Sequence, residues 1–379
     1  MKKFMAAVLF IFLFSSAKIV MAYEYTANVS LSLSEEYNDN IFLASSDRVS
    51  DFITRVSPGI DLSIRSLNSE LRLGYSPSFI YYSSHDELNE TAHHFTANGN
   101  FTLSNKLSIT LTDTYVKSSE ISDIRAIPDL GPITVRTELR LHTVSGNISY
   151  RLRDNLSYML GASYSDADYK EPGFTELRSY SGNMGLSYRH SERTTFSANV
   201  RYIKYDYRPD SDATEQDYSL GITYLIAPTL TLGLTGGATI TKIEDTGESD
   251  TGFSGGVNLT KRFERGTATL SYSQSVIAGF ETGVPLRDQT VSLRLTRPIT
   301  NQLAASISAS YSNFESVETN DVDTDVTSLN TDLTYSFRPW ASLSLSYSYT
   351  NNDDKITNTG DYYNHIVLLT LRLSYSRRL

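Results

Sequence analysis

The stretch ASLSLSYSYT, residues 341–350, decides the fold of this chain, because apolar and small polar residues alternate along it without interruption. The same alternation occurs in VSLSLS at 29–34 and in LSYMLGASY at 156–164. A period of two residues is the signal of a β-strand with one apolar and one polar face. Serine and threonine at every second position are typical of the inner wall of a wide, water-filled barrel.

This pattern recurs in eighteen segments after residue 25. They begin near residues 26, 52, 69, 91, 106, 138, 155, 176, 194, 215, 229, 251, 267, 287, 301, 326, 342 and 362. An even number of strands is expected for a single-chain bacterial outer-membrane barrel. The fold class is therefore all-β, and we predict one closed antiparallel transmembrane barrel of about eighteen strands.

The connections between segments alternate between tight and long. The tight ones contain Ser66-Leu67-Asn68, Ser104-Asn105-Lys106, Arg153-Asp154-Asn155, Ser191-Glu192-Arg193, Ala227-Pro228, Glu264-Arg265-Gly266, Pro298-Ile299-Thr300 and Arg338-Pro339-Trp340. The others are longer and acidic. Short periplasmic turns and long extracellular loops are the asymmetry of outer-membrane barrels, so both termini are predicted on the periplasmic side.

Aromatic residues lie toward both ends of the apolar faces, as expected for rings at the two lipid interfaces. Those near the outer interface are Tyr115, Tyr164, Tyr202, Tyr311 and Tyr349, and those near the inner one are Tyr150, Tyr188, Tyr224, Tyr335, Phe337 and Tyr375. A soluble β-sandwich would also alternate, but its strands would be shorter and its connections would not follow this rule. Its Ser/Thr-rich faces would have nothing apolar to bury, so the barrel is favoured.

The first 22 residues have the layout of a secretory signal peptide. Lys2 and Lys3 precede an apolar run from Phe4 to Phe14, and Ala22 ends a plausible cleavage site. The run is too short to span a bilayer permanently. We therefore expect a signal peptide over residues 1–22, a barrel over 23–379, and the outer membrane of a Gram-negative cell as its location.

Composition excludes several classes of function. The chain has no Cys, which excludes disulfides, thiolate nucleophiles and Cys-based metal sites. A formal charge of −10 argues against nucleic acid as a partner. The histidines match no metal-binding or catalytic motif, and no nucleophile elbow or phosphate loop is present. We predict that the protein is not an enzyme and has no cofactor or resident metal.

The polar face carries arginines toward the predicted periplasmic ends of the strands. They are Arg65, Arg72, Arg151, Arg189, Arg262, Arg294 and Arg372. Acids with the same parity, such as Asp61 and Glu70, are fewer. Guanidinium groups around a mouth could concentrate an anionic solute. The alternative is that these arginines reach the membrane edge or pair with acids in the wall.

The third long connection, Ser118 to Arg136, is the longest and the least polar. We predict that it folds into the lumen and narrows it. The alternative is a flap packed on neighbouring surface loops. Its apolar and turn-forming residues are Ile121, Ile124, Ile127, Pro128, Leu130, Pro132 and Ile133.

The outer loops concentrate acidic residues. Examples are Asp206, Asp212, Glu215 and Asp217, then Glu244 and Asp250, then Glu315, Asp323 and Asp325. Carboxylates can share the divalent ions of a lipopolysaccharide surface or bind Ca²⁺. The spacing of a calcium loop is absent, so solvated acidic loops are the simpler interpretation.

The segment Glu36-Tyr37-Asn38-Asp39-Asn40-Ile41-Phe42, followed by Asp51 and Val56-Ser57-Pro58-Gly59-Ile60, resembles the opening of a family of bacterial β-barrel porins. Genes of that family often lie in exopolysaccharide or exosortase clusters. The resemblance covers about 30 residues and implies an outer-membrane location and passage of a secreted polysaccharide. Because Pro58 cannot donate to a strand ladder, a β-bulge is expected near Pro58-Gly59.

The main functional prediction is an outer-membrane pore for export of exopolysaccharide. A general diffusion porin is the alternative within the same class, and a non-conducting structural or adhesive barrel displaying acidic loops is the alternative outside it. The expected partners are outer-membrane lipid and lipopolysaccharide, a polysaccharide and periplasmic export proteins.

Overall fold

A computed structural model describes residues 23–125, 131–170, 176–208, 212–244, 246–247, 249–279, 281–317, 322–356 and 360–379. The predicted signal peptide lies outside these residues. The described chain contains one 3₁₀ turn, Asp86–Leu88, and one short helix, α1, Ile121–Arg125. Its strands are β1 (Glu24–Asn38), β2 (Asp51–Arg65), β3 (Ser69–Tyr82), β4 (Glu90–Thr102), β5 (Leu107–Ser118), β6 (Leu139–Arg153), β7 (Leu156–Tyr169), β8 (Glu176–Arg189), β9 (Thr194–Arg208), β10 (Ala213–Ala227), β11 (Leu230–Ile243), β12 (Ser249–Phe263), β13 (Gly266–Ile277), β14 (Leu286–Pro298), β15 (Leu303–Ser316), β16 (Asp323–Arg338), β17 (Ala341–Asp354) and β18 (Tyr362–Arg378).

The eighteen strands form one antiparallel sheet in which each strand pairs with its sequence neighbours, and β1 also pairs with β18. Thr26 faces Arg378 across this closing seam, so both chain ends lie on the same rim. The predicted closed barrel is confirmed. The largest displacement of a predicted strand start is at β16, which begins at Asp323 rather than near residue 326.

The wall has the two faces that the alternation predicted. Apolar side chains such as Val29 and Leu220 are exposed on the outside. Hydroxyl groups on the inside bond across neighbouring strands, for example Ser163 Oγ to Ser181 Oγ at 2.7 Å and Ser271 Oγ to Ser292 Oγ at 2.7 Å. An apolar exterior is stable only against lipid, and a hydroxyl-lined interior only against water or polar groups. Among the described residues, no helix is long and apolar enough to cross a membrane.

The predicted β-bulge at Pro58-Gly59 is wrong. Val56 faces Phe79 and Ile60 faces Tyr75, so both strands advance four residues between these pairs (56 to 60 and 79 to 75) and no residue is inserted. In this register Pro58 stands opposite Pro77. Because neither proline has an N–H, the β2–β3 ladder loses bonds at the same place on both strands without a shift in register.

The predicted contrast between tight and long connections holds only in part. On the outer rim, β9 ends at Arg208 and β10 begins at Ala213, so this connection is no longer than some of the periplasmic turns. Strand pairing continues here beyond the apolar band. As a result, several acids that were expected in loops lie in strands: Asp206, Glu215, Asp217, Asp250, Glu315, Asp323 and Asp325.

Candidate functional site

The connection between β5 and β6, residues 119–138, is here called loop L3. At its start, Ser118 Oγ donates to Asp123 Oδ2 at 2.8 Å and accepts from the Glu120 N–H at 3.0 Å. This arrangement starts helix α1, whose Ile121 and Ile124 are buried. The hydroxyl at the end of β5 therefore turns the chain inward.

One end of L3 is held by a buried cluster of charges. The Arg55 guanidinium on β2 contacts Glu36 of β1 at 3.0 Å and, in L3, Glu120 at 3.0 Å and Asp123 at 3.1 Å. Arg55, Glu36 and Glu120 are each less than a tenth exposed. Buried charges are tolerated only when they are paired and hydrogen-bonded, so this cluster fixes L3 to the wall beside β1 and β2.

The returning end of L3 joins the same cluster. Arg136 Nη2 lies 2.7 Å from Glu120 Oε1, and Arg136 Nη1 donates to the Tyr82 hydroxyl on β3 at 2.5 Å. That hydroxyl in turn donates to Glu120 at 2.5 Å. Burial lowers the pKa of Arg136, but the adjacent Glu120 carboxylate and Tyr82 hydroxyl together outweigh this effect and the net pKa is raised. Arg136 is therefore a permanent cation within the cluster.

The middle of L3 contacts other parts of the wall. Arg125 donates to Asn364 Oδ1 at 3.1 Å and to the Tyr362 hydroxyl at 3.0 Å, both on β18. The Tyr362 hydroxyl donates to the Ile133 carbonyl at 2.7 Å. Gly131 packs beside Leu286 of β14. The described residues of L3 therefore contact the wall at β2 and β3, at β18 and at β14.

A second loop, residues 278–285 between β13 and β14, meets L3 through Glu281. The Thr134 N–H and Oγ1 donate to Glu281 Oε2 at 2.9 and 2.8 Å. No Lys or Arg among the described residues lies within 4.0 Å of this carboxylate. Burial raises the pKa of Glu281 from its ordinary 4.5 to about 7, and the bonds from Thr134 and Val135 oppose the shift only in part.

The apolar residues of L3 complete a hydrophobic cluster inside the outer end of the barrel. Ile121, Ile124 and Ile133 pack there with Ala278 and with residues near the outer ends of β6 to β10. The wall residues are Leu139, Leu141, Ala167, Leu177, Ile203, Tyr205, Tyr207 and Ala213. Pro132 is also buried, whereas Ile127, Pro128 and Leu130 lie outside the described residues.

Two cavities lie on opposite sides of L3. The first, of 680 Å³, lies against β3 to β9, also reaches residues 275–277 at the end of β13, and is called the β3–β9 compartment; serines such as Ser163 and Ser181 line it. The second, of 590 Å³, lies against β14 to β18 and is called the β14–β18 compartment; its lining includes Ser310, Ser328 and Pro132. The outer half of the lumen is thus divided.

The seven predicted arginines lie in the strand halves nearer to the short turns, and all seven are exposed. The structure distributes them around the wall on β2, β3, β6, β8, β12, β14 and β18. Arg65 and Arg72 share Glu70 at 2.7 and 2.8 Å. Arg189 donates to the Asp154 carbonyl at 2.8 Å. Those with no carboxylate within 4.0 Å in the described part of the chain are Arg151, Arg189, Arg262, Arg294 and Arg372.

The residues that hold L3 in place were not among those predicted from the sequence. Glu36 and Arg55 have inward parity, and a charge at such a position was the only available signal. Their partners Glu120 and Arg136 lie far away in the chain, so the cluster exists only once β1, β2, β3 and L3 are assembled. Glu281 carried no signal, because it lies in a loop with no pattern.

Comparison with solved structures agrees with the architecture. The chain is similar to the outer membrane protein OpdK from Pseudomonas aeruginosa, with a TM-score of 0.50, 11% identity, and coverage of 92% of this chain and 99% of that one. It is similar to OccAB4 of Acinetobacter baumannii, with a TM-score of 0.52, 12% identity and coverage of 94% and 99%. It is also similar to OccK2 (OpdF) of Pseudomonas aeruginosa in complex with glucuronate, with a TM-score of 0.51, 12% identity, and coverage of 94% of this chain and 98% of that one.

No protein-family model matches the chain, and no curated protein matches its sequence. Identities this low establish a shared fold. Together with the closed sheet and the lipid-compatible exterior, they define the class of protein as an eighteen-stranded β-barrel of the bacterial outer membrane.

Proposed function

We propose that this barrel is a solute pore whose lumen is narrowed at the outer end by L3 and whose inner mouth favours small anions. The observation that carries the proposal is that L3 is bonded to β2 and β3 at one end and to β18 and the β13–β14 loop further along. A loop attached on several sides of a lumen leaves less room than the barrel alone would provide.

The charge of the inner wall supports the preference for anions. Arg151, Arg262 and Arg372 face the lumen without a carboxylate within 4.0 Å among the described residues. Unpaired guanidinium groups raise the local concentration of anions and can bind a carboxylate through two hydrogen bonds. The OccK2 barrel was crystallised with glucuronate, a carboxylate, and the same chemistry would suit this wall.

Planar-bilayer recordings test the proposal. We expect discrete single-channel currents and, in a salt gradient, a reversal potential that indicates anion preference. A protein that inserts and never conducts would favour the structural or adhesive barrel. Conduction with cation preference would contradict the role given to the arginines.

Removal of Asp123 to Pro132 tests the narrowing by L3. We expect a higher single-channel conductance, because the excised segment carries the contacts to β18 and β14. Deletion of the exposed residues Ser45 to Arg48 from the β1–β2 loop, which leaves Leu43 of the hydrophobic cluster in place, is the control. Unchanged conductance in the L3 deletion would contradict a constricting role.

Passage of an exopolysaccharide is the finer prediction from the sequence resemblance, and it applies to the same pore. The paired hydroxyls of the wall could exchange weak hydrogen bonds with sugar hydroxyls. L3 is bonded to the wall on several sides, which leaves less room for a polymer than the barrel alone would provide. Polymer export therefore requires L3 to move, and we expect acidic polysaccharide to cross liposome membranes only when L3 is deleted or released.

A further inference from the structure

The two compartments on either side of L3 differ in the chemistry of their outer ends. The β3–β9 compartment is bordered by Leu141, Ile203, Tyr205 and Ala278, and all four belong to the hydrophobic cluster built on α1. An apolar constriction excludes ions because water and its dissolved charges leave it readily. An ion in this compartment therefore meets these apolar residues on the outer side, beside the charged side chains of Lys117 and Asp123.

The outer lining of the β14–β18 compartment mixes polar and apolar groups. Thr350, Asn352 and Tyr362 line it together with Phe314, Val326, Ile366 and Ile133, and Tyr362 and Ile133 also belong to the hydrophobic cluster. Asn352 Nδ2 donates to the Gly360 carbonyl at 2.8 Å. Its buried Oδ1 accepts no hydrogen bond from the described residues. A buried amide oxygen is stable only with a partner such as water, so this end of the lumen is compatible with hydration.

The fixed charges differ as well. In the β3–β9 compartment, Arg201 is paired with Glu215 at 3.0 Å, Asp123 with Arg55 at 3.1 Å and Lys117 with Glu138 at 3.4 Å, so these charges are compensated. Paired charges of this kind attract a passing ion only weakly.

In the β14–β18 compartment, Arg294 has no carboxylate within 4.0 Å among the described residues. Arg125 bonds to the neutral groups of Asn364 and Tyr362. Asp332 accepts from Ser306 Oγ at 3.2 Å and Ser346 Oγ at 2.6 Å, and no Lys or Arg of the described chain lies within 4.0 Å of it. These groups present uncompensated charge to the water of this compartment.

We propose that ions cross this protein along the β14–β18 side of L3, with Arg125, Arg294 and Asp332 as residues that determine ion specificity, and that the β3–β9 compartment is a hydroxyl-lined chamber that ions enter from the inner side but do not leave at its outer end. This inference rests on the proposed pore function and assigns its route. It distinguishes two regions of one lumen that have the same serine-rich wall.

The absence of cysteine from the whole chain provides a direct test. Ser181 and Ser310 lie near the middle of β8 and β15 and face the β3–β9 and β14–β18 compartments respectively. S181C and S310C differ from the parent by one atom each, and each would be treated with a charged methanethiosulfonate reagent during recording, with the extent of reaction measured by mass spectrometry. We expect modification of S310C to lower conductance about twofold or more, because a bulky group would occupy the ion path. Modification of S181C should leave conductance unchanged.

Equal loss at both positions, loss at S181C alone, or no loss at either would overturn the assigned route. The variants S181W and S310W place a bulky side chain without any reaction, so incomplete labelling does not prevent the comparison. An unlabelled protein that carries no current would instead contradict the pore function itself, and the two failures are therefore distinguishable.

Discussion

The outer and inner halves of the lumen are built from the same strands and the same alternation, yet they differ in contents. In the outer half, L3 and its partners bury Glu36, Arg55, Glu120 and Tyr82. In the inner half, the predicted arginines remain exposed. The difference shows that the barrel wall alone does not determine what lies inside it. L3 buries its isoleucines away from water and pairs its charges with those of the wall, so it occupies part of the outer half.

The largest effect is expected from breaking the cluster that distinguishes the outer half. Arg55→Met leaves Glu36 and Glu120 with less compensation, and removal of one partner of a buried ion pair costs about 3–5 kcal/mol. We expect L3 to detach from the wall, so that the single-channel conductance rises and fluctuates more. The urea concentration at which the contacts of the outer half are lost should fall. Single-channel recording with urea titration measures these changes.

Arg48→Met is the matched control for that substitution. Arg48 pairs with Asp39 at 2.9 Å on the outer rim, where both side chains are partly exposed. Such a pair contributes about 0–1 kcal/mol, so conductance and stability should barely change. If Arg55→Met behaved like Arg48→Met, the cluster would have no part in holding L3.

A smaller, pH-dependent effect is expected where L3 meets the β13–β14 loop. Burial raises the pKa of Glu281 from 4.5 to about 7, so the docked state binds a proton more tightly than an exposed glutamate does. The docking stability due to this proton is fully present below pH 4.5 and is lost as the pH rises through about 7. We therefore expect L3 to be released more often at high pH, so that the fraction of time the channel spends in its open state in bilayer recordings increases from pH 5 to pH 8.

Glu281→Gln keeps the shape and the acceptor for Thr134 but cannot titrate. Its open fraction should be nearly independent of pH over the same range. A pH response of equal size in the variant, or greater opening in acid than in base in the parent, would refute the assignment to Glu281.

The smallest effect is expected in the inner half, where the exposed arginines lie. Neutralising an unpaired arginine about 10 Å from the ion path in water changes the energy of an anion by roughly 0.4 kcal/mol, or about twofold in local concentration. We expect Arg262→Gln to lower anion preference in reversal-potential measurements. Arg72→Gln should have less effect, because Arg72 and Arg65 share the Glu70 carboxylate. Equal shifts of the reversal potential in the two variants would show that the pairing with Glu70 does not weaken the effect of Arg72 on anions.

Much of the fold could be predicted because each strand of a barrel wall has a local sequence pattern of its own. In residues 341–350 each apolar side chain faces lipid and each serine faces the lumen, so ten residues suffice to identify the strand. The expected bulge at Pro58 failed because its effect depended on Pro77 across the ladder. The lengths of the outer connections were overestimated because strand pairing can continue past the apolar band. In that region the sequence has no hydrophobic alternation to indicate a strand.

Less of the site could be predicted. The composition of L3 indicated that its isoleucines would avoid water, and Ile121, Ile124 and Ile133 are indeed buried. The groups that hold it could not be found in the same way. Arg55 meets Glu120 across 65 positions of the chain, and Arg125 meets Asn364 across 239. Contacts between residues so far apart in the chain produce no periodic pattern in the sequence.

By itself, the sequence determined the closed sheet, the polarity of its two faces and the rim on which both ends lie, since these follow from a two-residue repeat and from turn residues. Only the tertiary structure decided the course of L3, the division of the outer lumen and which arginines remain unpaired. The physical reason is that backbone pairing and lipid exposure act locally on each strand, whereas ion pairs and apolar contacts inside the barrel depend on curvature that brings distant strands around a common axis.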